Sequence, residues 1–204
     1  MEYENALYHG DKEYVKELLY EKKCLQRHYD WLEGLKEKTR LSNVHCGTHW
    51  IAEEYGYKWE CGASGMDNTP RGRLGDFAEK ERPNNPNMYW LDAICQQALS
   101  AKCIARLFRL VDDSENARIW EEKFLEKRQI VNTRYWDNED KFYYDIDCED
   151  KHFYKVPTIA SFWTLTSNIA DREQAEALVR RMQSENEFGG EIPLVSLTRS
   201  DGDF

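Results

Sequence analysis

Positive charge is in short supply in this chain. It carries 28 Lys and Arg against 38 Asp and Glu over 204 residues, a formal charge of −10. Neutralising phosphate needs clustered cations, so a nucleic-acid partner is disfavoured. Long apolar runs are missing as well. No stretch approaches the roughly 20 residues that span a bilayer, and no apolar core follows a basic N-terminus, so no membrane role is expected. Cys-x-x-Cys pairs are absent; the six cysteines stand apart at 24, 46, 61, 95, 103 and 148. Cys95 and Cys103 fall in one apolar helical pattern, where free cysteine acts as a small buried hydrophobe. A reducing, cytoplasmic setting is the simpler reading, provided that no export signal lies upstream. His45-Cys46-Gly-Thr-His49 with Cys61 beyond offers zinc-ligand chemistry, but the spacing matches no common structural site. Neither metal nor cofactor is expected.

Aromatic residues are plentiful at 13%, including seven Trp and twelve Tyr, which excludes a disordered chain. The length suits one domain with a sizeable core, or part of a larger one. Residues 11–38 read as helix broken near Glu21–Lys23, with Val15, Leu18, Leu25, Tyr29 and Leu32 on one face. Residues 44–86 show no sustained period. They hold most of the glycines and end in the breaker run Arg82-Pro-Asn-Asn-Pro-Asn87. So long a loop inside a compact domain is uncommon unless it is functional. From Met88 to Val111 apolar residues cover more than half of a helix circumference, so that helix is expected to be buried on two sides. Gln96 and Gln97 interrupt it, and one of them is expected to face a lumen. The Asp112-Asp113-Ser114 signal opens a second helix to about Arg134 with a narrower stripe: Trp120, Phe124, Val131 and Tyr135. Residues 142–147 alternate weakly, as a short strand or an extended turn. A third helix, 158–169, is apolar nearly all round; a fourth, 172–184, starts from an Asp171/Gln174 capping box. Wide stripe, narrow stripe, wide, narrow suits a double ring of helices, and would also suit tandem helical pairs, although no repeat of fixed length appears.

The chemistry concentrates in Cys61-Gly-Ala-Ser-Gly-Met-Asp-Asn-Thr-Pro-Arg71. A lone carboxylate, Asp67, stands among small residues with Asn68 beside it and Arg71 close by. An aromatic approach precedes it: Trp50, Tyr55, Tyr57 and Trp59. Flat aromatic faces beside polar groups suit a sugar ring, while Asp-Asn-Thr-Pro by itself also makes a capped turn. The run Ala63-Ser64-Gly65-Met66-Asp67-Asn68-Thr69-Pro70-Arg71 resembles the signature of glycoside hydrolase family 63, the helical-barrel glycosidases that include processing α-glucosidases and mannosylglycerate-hydrolase-like enzymes. The trehalases are more distant relatives with a similar Asp. The resemblance continues through Tyr89-Trp-Leu-Asp-Ala93, Tyr135-Trp-Asp137, Phe142-Tyr-Tyr-Asp-Ile-Asp147, Ile159-Ala-Ser-Phe-Trp163 and Gly189-Gly-Glu-Ile-Pro193.

The resemblance implies an all-α fold: one incomplete catalytic domain over residues 1–204, about half of an (α/α)6 toroid with a long active-site loop. It implies an inverting glycoside hydrolase for an α-linked glucosyl or mannosyl unit, with an oligosaccharide or small glycoside as substrate. Asp67 would be the general acid, its proton held to higher pH by a desolvated or carboxylate-flanked setting. The base would be a Glu beyond Phe204; Glu53, Glu54 and Glu60 match nothing in that role. On this reading the chain by itself hydrolyses little. Trp59 and Tyr89 would stack on or line the sugar site, and Asn68, Arg71, Asp92 and Gln96 would contact substrate. Each has a structural alternative: core aromatic, turn cap, loop salt bridge, or helix-dipole partner. Asp145 and Asp147 lack the further ligands that calcium needs, and Glu191 and Ser196 are weaker pocket candidates. The alternative from another class is a catalytically inactive helical carbohydrate-binding or interaction module.

Overall fold

The computed structural model describes residues 2–36, 39–40, 49–59, 66, 69–71, 87–202 and 204, with backbone alone at 39–40 and 49. Residues 2–34 are helical in four pieces. Helix α1 (Glu2–His9) ends at Gly10, whose φ of +66° is left-handed. Helix α2 (Lys12–Lys16) is capped by the Asp11 carboxylate, which accepts from the Tyr14 amide at 2.9 Å. It runs into a π-helical turn, Glu17–Lys22, and Lys23 at φ 52° separates this from α3 (Cys24–Gly34). A non-glycine residue in the left-handed region cannot continue a helix. This is the break expected near Glu21–Lys23.

The strands β1 (Thr39–Arg40), β2 (His49–Glu53), β3 (Gly56–Trp59) and β4 (Met88–Tyr89) follow. Next come α4 (Leu91–Leu110) and α5 (Ser114–Arg134). Four short strands succeed them: β5 (Trp136–Asp137), β6 (Phe142–Tyr143), β7 (Asp145–Asp147) and β8 (Phe153–Tyr154). A 3-10 turn, Ile159–Phe162, leads into α6 (Trp163–Thr166), and α7 (Arg172–Gln183) follows. The all-α expectation is therefore corrected. A six-stranded antiparallel sheet in the order β1-β2-β3-β4-β7-β8 lies beside the helices, with β5 and β6 as a separate pair. Residues 49–59, expected as loop, form its longest hairpin: Trp50 faces Trp59 and Glu53 faces Gly56. Gly56 permits this packing, because a Cβ there would collide with the Tyr135 hydroxyl. Met88–Tyr89 belongs to the sheet, pairing with Asp147 and Ile146, so the helix expected from Met88 begins at Leu91. The helix expected over 158–169 is only the 3-10 turn and one α turn, ending at Thr166.

The contrast between wide and narrow stripes is present in the central hairpin. In α4, 12 of 20 residues are buried; in α5, 5 of 21 are, among them Trp120, Phe124 and Val131. Helix α4 thus packs on several sides while α5 shields it from solvent. At roughly 1.5–3 kcal/mol per fully buried large aliphatic side chain, this seam is a main source of stability. The expected caps are made: Asp113 accepts from the Asn116 amide, and Asp171 with Gln174 completes a reciprocal box at α7. Two turns share one recipe. In Asp137-Asn-Glu-Asp-Lys141 and Asp147-Cys-Glu-Asp-Lys151 the first carboxylate accepts the amides two and three residues on. The lysine then turns the chain with a positive φ, 51° and 65° respectively. Such Asx turns reverse the chain without glycine.

Candidate active site

Three elements meet at Arg71: the glycine-rich stretch that carries it, the start of α4, and β7. The side chain of Arg71 is 1% exposed, as is that of Asp92; that of Asp145 is 6% exposed. Asp145 grips the guanidinium as a fork, Oδ2 accepting from Nε at 2.6 Å and Oδ1 from Nη2 at 2.7 Å. Asp92 Oδ1 accepts from Nη2 at 2.7 Å. The third nitrogen, Nη1, lies 3.4 Å from the Met66 sulfur, and the guanidinium carbon sits 4.4 Å from the centre of the Trp90 ring. Burial alone would lower the proton affinity of Arg71, but the two carboxylates raise it above its ordinary value, so the cation is permanent. The indole N–H of Trp90 is buried without a hydrogen-bond partner among the described residues.

The residue before helix α4, Trp90, supplies no side-chain cap. Asp145 fills that gap from another element: its Oδ1 accepts from the Leu91 amide at 2.8 Å. One carboxylate therefore holds the loop cation and the first turn of α4 together. An anion at a helix N-terminus is favoured both by the free amides and by the helix dipole.

Asp67 and Asn68 lie outside the described residues, as do Cys61 and the His45–Cys46 pair whose spacing matched no common zinc site. The flanks of Asp67 are placed: Met66, Thr69 and Arg71 are buried, and the Met66 carbonyl accepts both the amide (3.2 Å) and the hydroxyl (2.8 Å) of Thr69. Asp92 and Arg71 are brought together in the ion cluster. Tyr89 neighbours it in sequence but sends its hydroxyl to Glu53, on β2. Trp59, on β3, is half-buried with its ring edge-on to Trp50 at 5.4 Å. Gln96 is half-buried on α4, while Gln97 is buried and donates to Glu33 at 2.9 Å. Glu191 is exposed, and Ser196 contributes its carbonyl to the Ile159 amide.

A second polar centre surrounds Glu33. One oxygen of this carboxylate takes the Tyr57 hydroxyl, the Gln97 amide and the Lys127 ammonium, the last at 3.1 Å. Burial raises the proton affinity of Glu33, but Lys127, Tyr57 and Gln97 outweigh it and hold the carboxyl below its ordinary value. Burial first, and the charge of Glu33 second, push the Tyr57 phenol well above its own. This centre borders a cleft of about 310 Å³ lined by Tyr29, Glu53, Gly56, Lys123 and Lys127 among others. For a metal, Asp147, Asp150 and His152 bring ligand atoms within 4.8 Å of one another. Both oxygens of Asp147 are already committed, to the Glu149 and Asp150 amides and to the Tyr154 hydroxyl. That set reads as a turn. No helix among the described residues is long and apolar enough to cross a membrane.

Asp145 is the participant that the sequence did not reveal as part of this cluster. Its position in the alternating Tyr-Tyr-Asp-Ile-Asp run marks a strand, and an ionised residue on a buried strand demands a counter-ion. Its partner, however, lies 74 residues away.

The chain is 24% identical over 205 residues to an uncharacterized protein of Borreliella burgdorferi, covering 98% of this chain and 36% of that protein, so it spans about a third of the length of that curated relative. Its fold matches that of the family 63 mannosylglycerate hydrolase from Thermus thermophilus, solved in complex with Tris, with a TM-score of 0.58 and 16% identity over 94% of this chain and 53% of that one. It also matches part of a sialidase, TM-score 0.62 and 15% identity, over 96% of this chain and 15% of that one. A family model described as the mannosylglycerate hydrolase MGH1-like glycoside hydrolase domain matches residues 2–204, and the chain belongs to that glycoside hydrolase family.

Proposed function

We propose that this chain supplies the general-acid side of an inverting glycosidase acting on an α-linked glucosyl or mannosyl unit, in an oligosaccharide or a small glycoside. Asp67 gives its proton to the glycosidic oxygen as the bond from that oxygen to the anomeric carbon breaks. A second carboxylate takes a proton from the water that attacks the opposite face. Inversion requires the two carboxyl groups to stand roughly 6.5–9.5 Å apart, leaving room for that water. The domain is read as part of a helical toroid, with the inner helix α4 presenting its N-terminal end to the sugar.

One observation carries the reading within the family. The stretch bearing Asp67 is fastened four residues later by Arg71, an arginine buried between two carboxylates. A proton donor must be held within a fraction of an ångström of its target, and a fork from a strand paired on both sides supports that anchorage. Trp59, Asn68, Tyr89, Asp92 and Gln96 are proposed to shape the sugar site around it.

The test is hydrolysis of a panel of α-glucosides and α-mannosides, glyceric-acid conjugates included, by the full protein that contains this chain. Product anomers are followed by NMR. The expected result is release of the inverted sugar, with Asp67→Asn lowering kcat at least about a hundredfold at unchanged thermal stability. Retained activity in Asp67→Asn would remove the acid assignment. Sugar binding without turnover by the wild type would favour the inactive binding module.

A further inference from the structure

We propose that Asp145 is a positioning residue that, through Arg71, holds the hydrogen-bonded residues Met66 and Thr69, which flank Asp67 in the sequence, against α4. Its catalytic meaning rests on the function proposed above; its mechanical part does not. The case is geometric. Asp92 touches Arg71 through one oxygen and one nitrogen, which leaves the guanidinium free to swing about that contact. Asp145 uses both of its oxygens on two different nitrogens, which fixes the plane of the group. The remaining freedoms are closed by the Trp90 ring, over which the guanidinium carbon sits, and by Met66 beside Nη1.

Asp145 is itself held in the sheet, where it pairs with Tyr154. It sits on β7, which pairs with β4 on one side and β8 on the other. Its Oδ1 is shared between Arg71 and the Leu91 amide, so Arg71 cannot slide along α4 without straining the first turn of that helix. The chain of support therefore runs from sheet to carboxylate to arginine. From there it passes to the Met66–Thr69 hydrogen bonds that flank Asp67. Asp145 need not approach a substrate to act; it works through Arg71.

Asparagine separates the two jobs of this carboxylate. In Asp145→Asn the remaining oxygen still accepts the Leu91 amide. The new NH2 group faces the Nε–H of Arg71, donor against donor, and the charge is gone. Amide hydrogen exchange read by NMR on the full chain then distinguishes them. The Thr69 amide is expected to exchange about tenfold faster or more, the loss of one charge-assisted contact, while Leu91 stays within about twofold. Arg71→Lys, which cannot form the fork and leaves the α4 cap alone, is expected to give the same signature. The double variant is expected to be no worse than either single one, since both cut one linkage. If Thr69 and Leu91 accelerate together, or Thr69 does not respond, the proposal is overturned; additive effects in the double variant overturn it too. Should Asp145→Asn fail to fold, Arg71→Lys alone still decides: protection of Thr69 unchanged there means that the fork positions nothing. In the active full protein, Asp145→Asn is expected to lower kcat about tenfold with KM within about threefold. A wild type without glycosidase activity would defeat the function proposed above while the exchange comparison still judged Asp145.

Discussion

Two charged centres tie α4 to its neighbours, and they are built in opposite ways. Around Arg71, one cation collects two carboxylates in a space closed to water. Around Glu33, one carboxylate oxygen collects three donors at the wall of an open cleft, with about a third of its side chain exposed at 31%. The first centre carries a surplus negative charge; the second balances its ion with a neutral hydroxyl, a neutral amide and an ammonium. Burial rather than the number of contacts separates them. Where water is excluded, the loss of one partner strands a charge; where the wall is open, water replaces what was lost.

The largest break in this comparison should come from Arg71→Met. It fills much of the volume but leaves Asp92 and Asp145 facing each other uncompensated. The expected loss is about 3–5 kcal/mol of unfolding free energy in denaturant titration. A loss below about 1 kcal/mol would mean that water reaches the centre and that the two regions are alike.

Glu33→Gln is expected to cost less, about 1–2 kcal/mol at neutral pH, because the amide keeps one acceptor and the cleft admits solvent. The pH dependence sharpens this. Glu33 is held below its ordinary carboxyl value of 4.5 in the folded chain. Its contribution is therefore complete above that value and disappears as pH falls through the lower, folded one. The difference between wild type and Glu33→Gln should shrink as urea midpoints are taken from neutrality to below pH 4.5. A difference that stayed constant would show that the charge of Glu33 contributes nothing.

The smallest effect serves as the exposed reference. Lys12 and Asp112 pair at 2.9 Å with both side chains more than half exposed. Lys12→Ala should change thermal stability by no more than about 0.5 kcal/mol, within scatter of zero. A loss comparable to that of Glu33→Gln would undo the ranking by burial.

The long helices were readable because their signals are local. The stripe of α4 repeats over five turns, Asp113 and Asp171 sit where caps belong, and Lys23 falls at the expected interruption. Of the strands, only residues 142–147 left a sequence signal, a weak alternation that covers β6 and β7. Several strands of the sheet are two or three residues long, too short for alternation to register firmly, and Met88 finds its partner at Asp147. Pairings of that span depend on the whole fold. The same limit governs the site. Arg71 and Asp92 are legible through the motifs that carry them, but the fork to Asp145 joins residues 74 positions apart and leaves no local signal. Asp67, the residue on which the chemistry turns, is legible only by its motif; its position lies outside the described residues.

The cap on α4 has a consequence for how the molecule is made. The Leu91 amide waits for a carboxylate that is synthesised 54 residues later. While the chain emerges from its N-terminus onward, the central helix has its body but not its first hydrogen bond. Arg71 has no fork to enter until the same moment. Arrival of a single strand, β7, thus completes helix and loop in one event, and a chain stalled before it would expose both.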